Sequence, residues 1–498
     1  MNDAATASGY DVVIVGGGVA GCVLAARLSE DPSRSVLLIE AGPDYGTDRT
    51  AWPPTVLDAR VLPRDDVWER DCPPYRLRAK VLGGSSCING CWHTWGSTAD
   101  YAEWAARGGS SWSAEGLEPY RRTAVDTMRL RPIPRTELSA WSSGALAAAH
   151  ELGYPEIPDL AAPGAGPGYG CPPVNAIGEL RWNSAFAYLD PVRDRPNLTI
   201  LAGATVERLA VRDGRVRQAE VVVDGRPRRV TGETYILAAG AFGSPVLLLR
   251  SGVGPAGELE PLGIPVAVDL PGVGRNLSDH PSLVLPLAPT DELNRALAAK
   301  EAEGELYASQ VAIRAASGYC PRGAWDLHAL PTAGAPLFGE LPPGQYEVGI
   351  AAFVMKPRSR GSVRLAGADP ATPALIDTGA LTDPEGRDLA VGRIGLELAA
   401  ELAGSAALKS LATLADPRAP QDIPDVELRD RAGSYWHPVG TCAMGPDTAA
   451  DAVVDADGRV RGVANLRVVD ASILPTVPAA NTQLSVIAVA EMLARVPA

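Results

Sequence analysis

No stretch of this 498-residue chain runs for about 18 or more uncharged apolar residues, so no segment reads as a membrane-spanning helix. The opening MNDAATASGY lacks the basic residues and apolar run of a secretory signal, and a cytoplasmic protein is expected. Basic clusters are missing as well. The formal net charge is -14, and without a Lys/Arg patch to displace counterions from a phosphate backbone, nucleic acid is not an expected partner. Acidity of this kind reads as a solubilising surface rather than as a site for a cation. Cysteines are few and odd in number: Cys22, Cys72, Cys87, Cys91, Cys171, Cys320 and Cys442. Scattered over a long chain, they suit reduced thiols better than a disulfide framework. Cys87 and Cys91 are four positions apart, but no second spaced Cys/His pair completes a tetrahedral zinc site, so both are expected to be buried small hydrophobes and no metal is expected. G-x-S-x-G, H-E-x-x-H and P-loop patterns are all absent, which sets aside hydrolase and NTPase chemistry. There is no internal repeat or low-complexity tail, and only five histidines occur.

What is present begins at the N-terminal end. The apolar run DVVIV (11–15) is followed at once by GGGVAG and then by an alanine-rich helical stretch to about Glu30. Gly16, Gly18 and Gly21 give the G-x-G-x-x-G spacing. The first permits a tight turn, the second lets backbone approach a pyrophosphate at the helix N-terminus, and the third lets helix pack on strand. SVLLIE (35–40) then reads as a second strand ending in Glu40, the expected ligand of a ribose hydroxyl. Strand, fingerprint, helix, strand and acid in register point to dinucleotide binding. They do not choose between NAD and FAD, which share the same adenosine diphosphate end.

Five further blocks make that choice by resemblance: LGGSSCINGCWHTWGSTADYAEW (82–104), GAFGSPVLLLRSGVGP (240–255), NLSDHP (276–281), YWHPVGTCAMG (435–445) and LRVVDASILPTVPAANTQLSVIAVAEMLA (466–494). In this order they resemble the signatures of glucose-methanol-choline (GMC) oxidoreductases, of the choline oxidase and choline dehydrogenase-like branch. The resemblance extends from Asp11 to Ala494 and is weakest at 125–178 and 281–345. It implies FAD as cofactor, with Gly83, Gly84, Ser85, Asn89 and Gly90 along the flavin and Val206, Asp470, Ala471, Asn481 and Thr482 as further contacts. It also implies a small-molecule alcohol as substrate. Some members carry a flavin-linked histidine where this chain has Ile88, which cannot form that bond, so noncovalent FAD is expected. Many members have a second active-site histidine near the C-terminus, where Asn481 stands here.

Losing a hydride from a carbinol carbon is easier if a base takes the hydroxyl proton, and histidine suits this task because its ordinary pKa is about 6.5. His437 lies in a Gly/Pro-punctuated loop inside the fourth signature and is the expected general base. Asn481 is expected to orient the substrate oxygen through its amide, with an ordinary helix N-cap as the competing reading, because an apolar helix of about Gln483 to Leu493 follows it. That helix would direct its positive end toward the flavin. His150 reads as a helix-surface residue, His328 as part of an unassigned loop, His280 as a holder of loop backbone near the flavin and His93 as a packing residue.

The expected fold is α/β: a Rossmann-type FAD-binding domain assembled from 1–155, 190–280 and 431–498, plus an α+β substrate domain from 156–189 and 281–430. In the latter, YEVGIAAFV and GSVRLAG suggest strands of an antiparallel sheet and LAVGRIGLELAAELAG a covering helix. The Pro/Gly-dense stretch 155–178 reads equally as a lid or a connector. Three activities fit the resemblance. Alcohol oxidation with dioxygen or a quinone-type carrier as electron acceptor leads; a redox-neutral lyase acting on hydroxynitriles and a noncatalytic flavin binder follow. Which alcohol is oxidised and the oligomeric state are not encoded in any motif found.

Overall fold

The computed structural model describes residues 9–63, 66–68, 78–335 and 341–497. Its first sheet grows from the predicted strand–turn–helix–strand unit. The buried strand Gly9–Val15 leads through the glycine turn into the helix Val19–Leu28, and the chain returns as Val36–Ile39. Right-handed crossovers of this kind need parallel neighbours. Accordingly Gly9–Val15 pairs in parallel with Val36–Ile39 on one side and with Arg226–Leu237 on the other, with Val13 opposite Leu37 and Tyr235. Leu198–Leu201 and Leu466–Val468 add further parallel strands. Arg226–Leu237 is long enough to leave this layer and join an antiparallel meander with Arg215–Val223 and Ala204–Arg212. The C-terminal helix Thr482–Leu493, buried on nearly every side, packs between Val19–Leu28 and Ala114–Thr127.

The second sheet is antiparallel throughout, in the order Ala412–Leu414, Pro281–Pro289, Glu347–Val354, Leu327–Gly334, Ala312–Ala315, Gly168–Gly170, with Gly433–Ser434 pairing at one end of Pro281–Pro289. Side chains alternate between its faces. One face carries Leu283, Leu285, Ala329 and Ile350 and packs on the predicted covering helix, here Arg387–Gly404. The other carries a cross-strand row of Ser282, Phe353, His328 and Arg314, beside a second row of Val284, Ala351, Leu330 and Ala312.

Packing redraws the expected division of the chain in three places. The helix Ala140–Glu151 joins the second core through Trp141, Ala145 and Leu146 rather than the flavin side. Ala185–Leu189 and the strand pair Ser362–Arg364 with Leu375–Asp377 go the other way: Phe186, Leu189, Val363 and Ala374 belong to the first core. Segment 155–178 is a connector. Gly168–Gly170 is an edge strand of the second sheet, Leu160 and Ala161 are buried, and no residue of the segment lines the central cavity. Cys72 lies outside the described residues; the other six cysteines are free thiols. Among the described residues no helix is long and apolar enough to cross a membrane, and no cluster of His, Cys, Asp and Glu could hold a metal ion.

Candidate active site

Between the two sheets lies a cavity of about 1410 Å³, larger than the ~300–1,000 Å³ of ordinary small-molecule pockets. Its first-sheet wall includes Gly16, Gly18, Glu40, Gly84, Ser85, Asn89, Gly90, Val206, Asp470, Ala471, Asn481 and Thr482, and its second-sheet floor includes Ser282, Val284, Leu330, Ala351 and Phe353. All but two of the expected cofactor residues therefore meet there. The exceptions are Gly21 and Gly83. A Cβ on Gly21 would stand 1.9 Å from the carbonyl oxygen of Gly16, so this glycine serves helix–strand contact, as its spacing predicted. Gly83, expected beside the flavin, instead braces the wall from behind: its φ is +102, its N–H donates to Gly17 O at 2.8 Å, and a Cβ would meet Cys87 Sγ at 2.7 Å.

The wall fits a dinucleotide. A Cβ on Gly18 would find nothing nearer than 3.9 Å and one on Gly90 nothing within 4 Å, yet both residues line the cavity, so their missing side chains leave room for a ligand rather than for protein. Glu40 Oε2 accepts from Gly17 N at 2.7 Å and Oε1 from Gly42 N at 2.8 Å. Each oxygen keeps a second lone pair for a ribose hydroxyl. Burial raises this carboxyl's pKa, and the two amides act against the rise. Asp470 is likewise raised by burial and opposed by donors: Gly240 N (2.8 Å) and Ser244 Oγ (2.5 Å) on Oδ2, and Ser472 N (2.8 Å) on Oδ1. It therefore ties the helix Gly240–Arg250 to the C-terminal segment at the cavity wall. Asn89 reaches the C-terminal helix by donating to Gln483 Oε1. Ile88 is buried at the cavity edge, where no side-chain nucleophile stands at that position.

His437 and Asn481 also line the cavity. His437 sits on a strained loop, because Trp436 before it has φ +60, a conformation that bulky residues adopt only when their surroundings impose it. Asp279 supplies the constraint. Its Oδ1 accepts from His437 N (2.8 Å) and His280 N (2.7 Å), and its Oδ2 from Ser434 Oγ (2.5 Å). Ser434 Oγ in turn accepts from Trp436 N at 2.7 Å, and Arg78 Nη2 donates to Trp436 O at 3.1 Å. The His437 imidazole contacts His280 Nδ1 through its own Nδ1 (3.1 Å) and Asn481 Nδ2 through Nε2 (3.4 Å). Burial, and then the neighbouring His280, Arg78 and His328, hold its pKa well below the ordinary imidazole value, so the ring is neutral and able to accept a proton at neutral pH.

Asn481 occupies the N-cap position of Thr482–Leu493 but makes no side-chain cap bond. Its amide is used elsewhere: Oδ1 accepts from Thr94 Oγ1 at 2.8 Å while Nδ2 faces His437. The side chain therefore does not cap the helix. The four remaining histidines separate. His150 is exposed on its helix, as expected, and His93 is buried, with its pKa held at about 4 by burial. His280 holds backbone as expected, through Nε2 and Pro478 O at 3.0 Å, but also touches His437. His328 is not in a loop: it lies in the strand Leu327–Gly334, 1% exposed, facing the cavity side beneath Tyr435. Four contributors escaped the sequence reading. Thr94, Asp279 and Tyr435 lie inside quoted signatures, whereas Phe353, which stacks on Tyr435 with 3.8 Å between ring centroids, comes from a distant strand.

Comparison with known proteins is consistent with this geometry. The GMC oxidoreductase family model matches residues 10–282 and 357–490. A 5-(hydroxymethyl)furfural oxidase of Methylovorus sp. (strain MP688) is 36% identical over 536 aligned positions, covering 97% of this chain and 98% of that protein. Human mitochondrial choline dehydrogenase is 32% identical, covering 97% and 88%. Among solved structures, the pyridoxine 4-oxidase from Mesorbium loti superposes with a TM-score of 0.83 at 29% identity, covering 98% of each chain.

Proposed function

Because the chain belongs to the GMC oxidoreductase family, we propose that it binds FAD noncovalently and oxidises an uncharged aromatic primary alcohol to the aldehyde, with His437 as general base. FAD, when bound, supplies the two-electron acceptor for the hydride. The chain's own residues do the rest. His437 Nε2 receives the hydroxyl proton as the carbinol C–H bond breaks, so the carbon–oxygen double bond forms without an isolated alkoxide. Asn481 Nδ2 donates to the substrate oxygen and fixes the carbinol carbon. The helix Thr482–Leu493 directs its positive end at the cavity through Asn481 and Thr482, which favours added negative charge there.

The observation that carries the substrate class is the wall beside the base. Tyr435 lies 4.3 Å from the His437 ring and stacks on Phe353, giving a planar apolar surface. Among the described residues no free carboxylate accompanies it. Asp279 is bonded to backbone and Ser434, Asp58 is paired with Arg60 at 2.6 Å, and Glu301 accepts from Tyr346 at 2.7 Å. Glu347 stands six residues along its strand from Phe353, roughly 20 Å away. A quaternary ammonium would therefore meet aromatic faces but no counter-charge among the described residues. The relatives named above are two oxidases and a dehydrogenase, and nothing favours the lyase alternative. Anaerobic mixing of the purified yellow protein with benzyl alcohol, furfuryl alcohol and choline tests the reading. Bleaching of the flavin's visible band by the aryl alcohols, lost in His437→Ala, is expected. Bleaching by choline alone would overturn the substrate class, and an undiminished rate in His437→Ala would overturn the base.

A further inference from the structure

We propose that His280 is a positioning residue that fixes the tautomer of the catalytic base, holding the His437 proton on Nδ1 and leaving the Nε2 lone pair toward the cavity. This rests on the reading of His437 as base. The argument starts at the far end of a short chain of contacts. His280 Nε2 is 3.0 Å from the carbonyl oxygen of Pro478. A carbonyl can only accept, so Nε2 carries the hydrogen. The ring is fully buried and burial pushes its pKa down to about 3, so it is neutral, and its Nδ1 is then an acceptor. The atom facing that lone pair at 3.1 Å is His437 Nδ1, which must therefore be the donor. The two rings meet edge to face, 85° between planes, which aligns an N–H in one plane with a lone pair of the other.

A second line of contacts reaches the same tautomer from the opposite side. Thr94 Oγ1 accepts from Asn481 N at 3.0 Å, so its single hydrogen is free to go to Asn481 Oδ1 at 2.8 Å. That assigns the amide: oxygen toward Thr94, nitrogen toward His437 Nε2. An NH₂ group needs a lone pair opposite it, which Nε2 offers only when the ring hydrogen is on Nδ1. Pro478 carbonyl, His280, His437, Asn481 and Thr94 thus form one directional series, in which every donor meets an acceptor.

The series holds rather than conducts. When the substrate proton arrives on Nε2, His437 becomes an imidazolium that keeps its Nδ1–H bond to His280. Passing that proton onward would require His280 to release its own to the Pro478 carbonyl, a very weak base. The abstracted proton therefore stays on Nε2, where it entered.

The test uses FAD-loaded wild type, His280→Leu and His280→Asn, with furfuryl alcohol as substrate and histidine ¹⁵N spectra of the resting enzyme. The His437 signal is assigned by its loss in His437→Gln. In wild type, His437 is expected to be protonated at Nδ1. Leucine removes the acceptor and should lower kcat by roughly 10²-fold with KM and flavin content unchanged, and a mixed tautomer should appear. Asparagine, whose Oδ1 can take the place of Nδ1 as acceptor, should restore most of the rate. A purely structural role would not give this split. An Nε2-protonated His437 in wild type, or an unaltered kcat in His280→Leu, would overturn the proposal. If the leucine variant does not fold, the wild-type spectrum decides by itself. Should His437→Ala stay active, the base reading fails while the tautomer result stands on its own.

Discussion

Acid should destabilise this protein through its buried histidines, and the size of the effect follows from the structure. His93 and His280 are 0% exposed and His328 is 1% exposed, and burial pushes all three imidazoles down, to about 4, to about 3 and well below the ordinary value respectively. In the unfolded chain each titrates near 6.5, so as the pH falls the unfolded state takes up protons that the folded state refuses. Stability is therefore complete above about pH 6.5 and is lost as the pH drops from there toward the folded values. By about pH 5.5 each neutral ring costs about 1.4 kcal/mol, the three together about 4 kcal/mol, against a total stability of ~5–15 kcal/mol. Burial raises the carboxyls of Glu40, Asp279 and Asp470, which act in the opposite sense, since the folded state then binds those protons first. They therefore offset part of the loss as the pH falls. Urea unfolding of the holoenzyme, followed by tryptophan fluorescence near pH 7.5 and near pH 5.5 at fixed ionic strength, measures the loss. His328→Leu isolates one ring: neither of its nitrogens has a hydrogen-bond partner among the described residues. That variant should lose about 1.4 kcal/mol less on acidification and cost little at the higher pH. Equal stability of wild type at the two pH values, or an unchanged difference in His328→Leu, would refute the reasoning.

Three other outcomes are expected. Gly18→Ala should fold with near-normal stability but be purified with little flavin, because its Cβ enters the cavity and touches no protein atom within 3.9 Å; Gly21→Ala, with a Cβ 1.9 Å from Gly16 O, should instead lose stability by ~1–3 kcal/mol, both read by melting temperature and by absorbance ratio. Thr94→Val keeps the shape but frees the Asn481 amide to rotate, so kcat should fall by roughly 10-fold or more while flavin content holds, measured by steady-state kinetics. A base acts when deprotonated, and the His437 pKa lies well below 6.5, so kcat/KM should be level through neutrality and decline only on the acid side; a fall beginning above pH 7 would contradict the assignment.

Much of the flavin wall was legible because it is local. Strand, glycine turn, helix and Glu40 are consecutive, so their spacing shows in one short segment, although only Gly21 is required by a contact within that unit; a Cβ on Gly16 would meet Ala238 O at 2.6 Å, and Gly18 leaves room in the cavity. The same holds for the strand Glu347–Val354 and the helix Arg387–Gly404, whose apolar spacing is written in their own residues. The helix Ala140–Glu151 shows where this stops. Its pattern announces a buried face, but nothing in it says that the face meets the second sheet, because apolar surface is removed from water equally well by either core.

By itself, then, the sequence determined the nucleotide-binding unit, the two-sheet class and the identity of His437 and Asn481 as a pair of interest. Tertiary structure alone decided what those two side chains face. Thr94, Asp279, His280, His437, Pro478 and Asn481 come from segments separated by up to several hundred residues, and hydrogen bonds among them have no sequence period. A proton's place on an imidazole is fixed by the donor or acceptor opposite each nitrogen, and only the packed chain brings those partners within 3.5 Å.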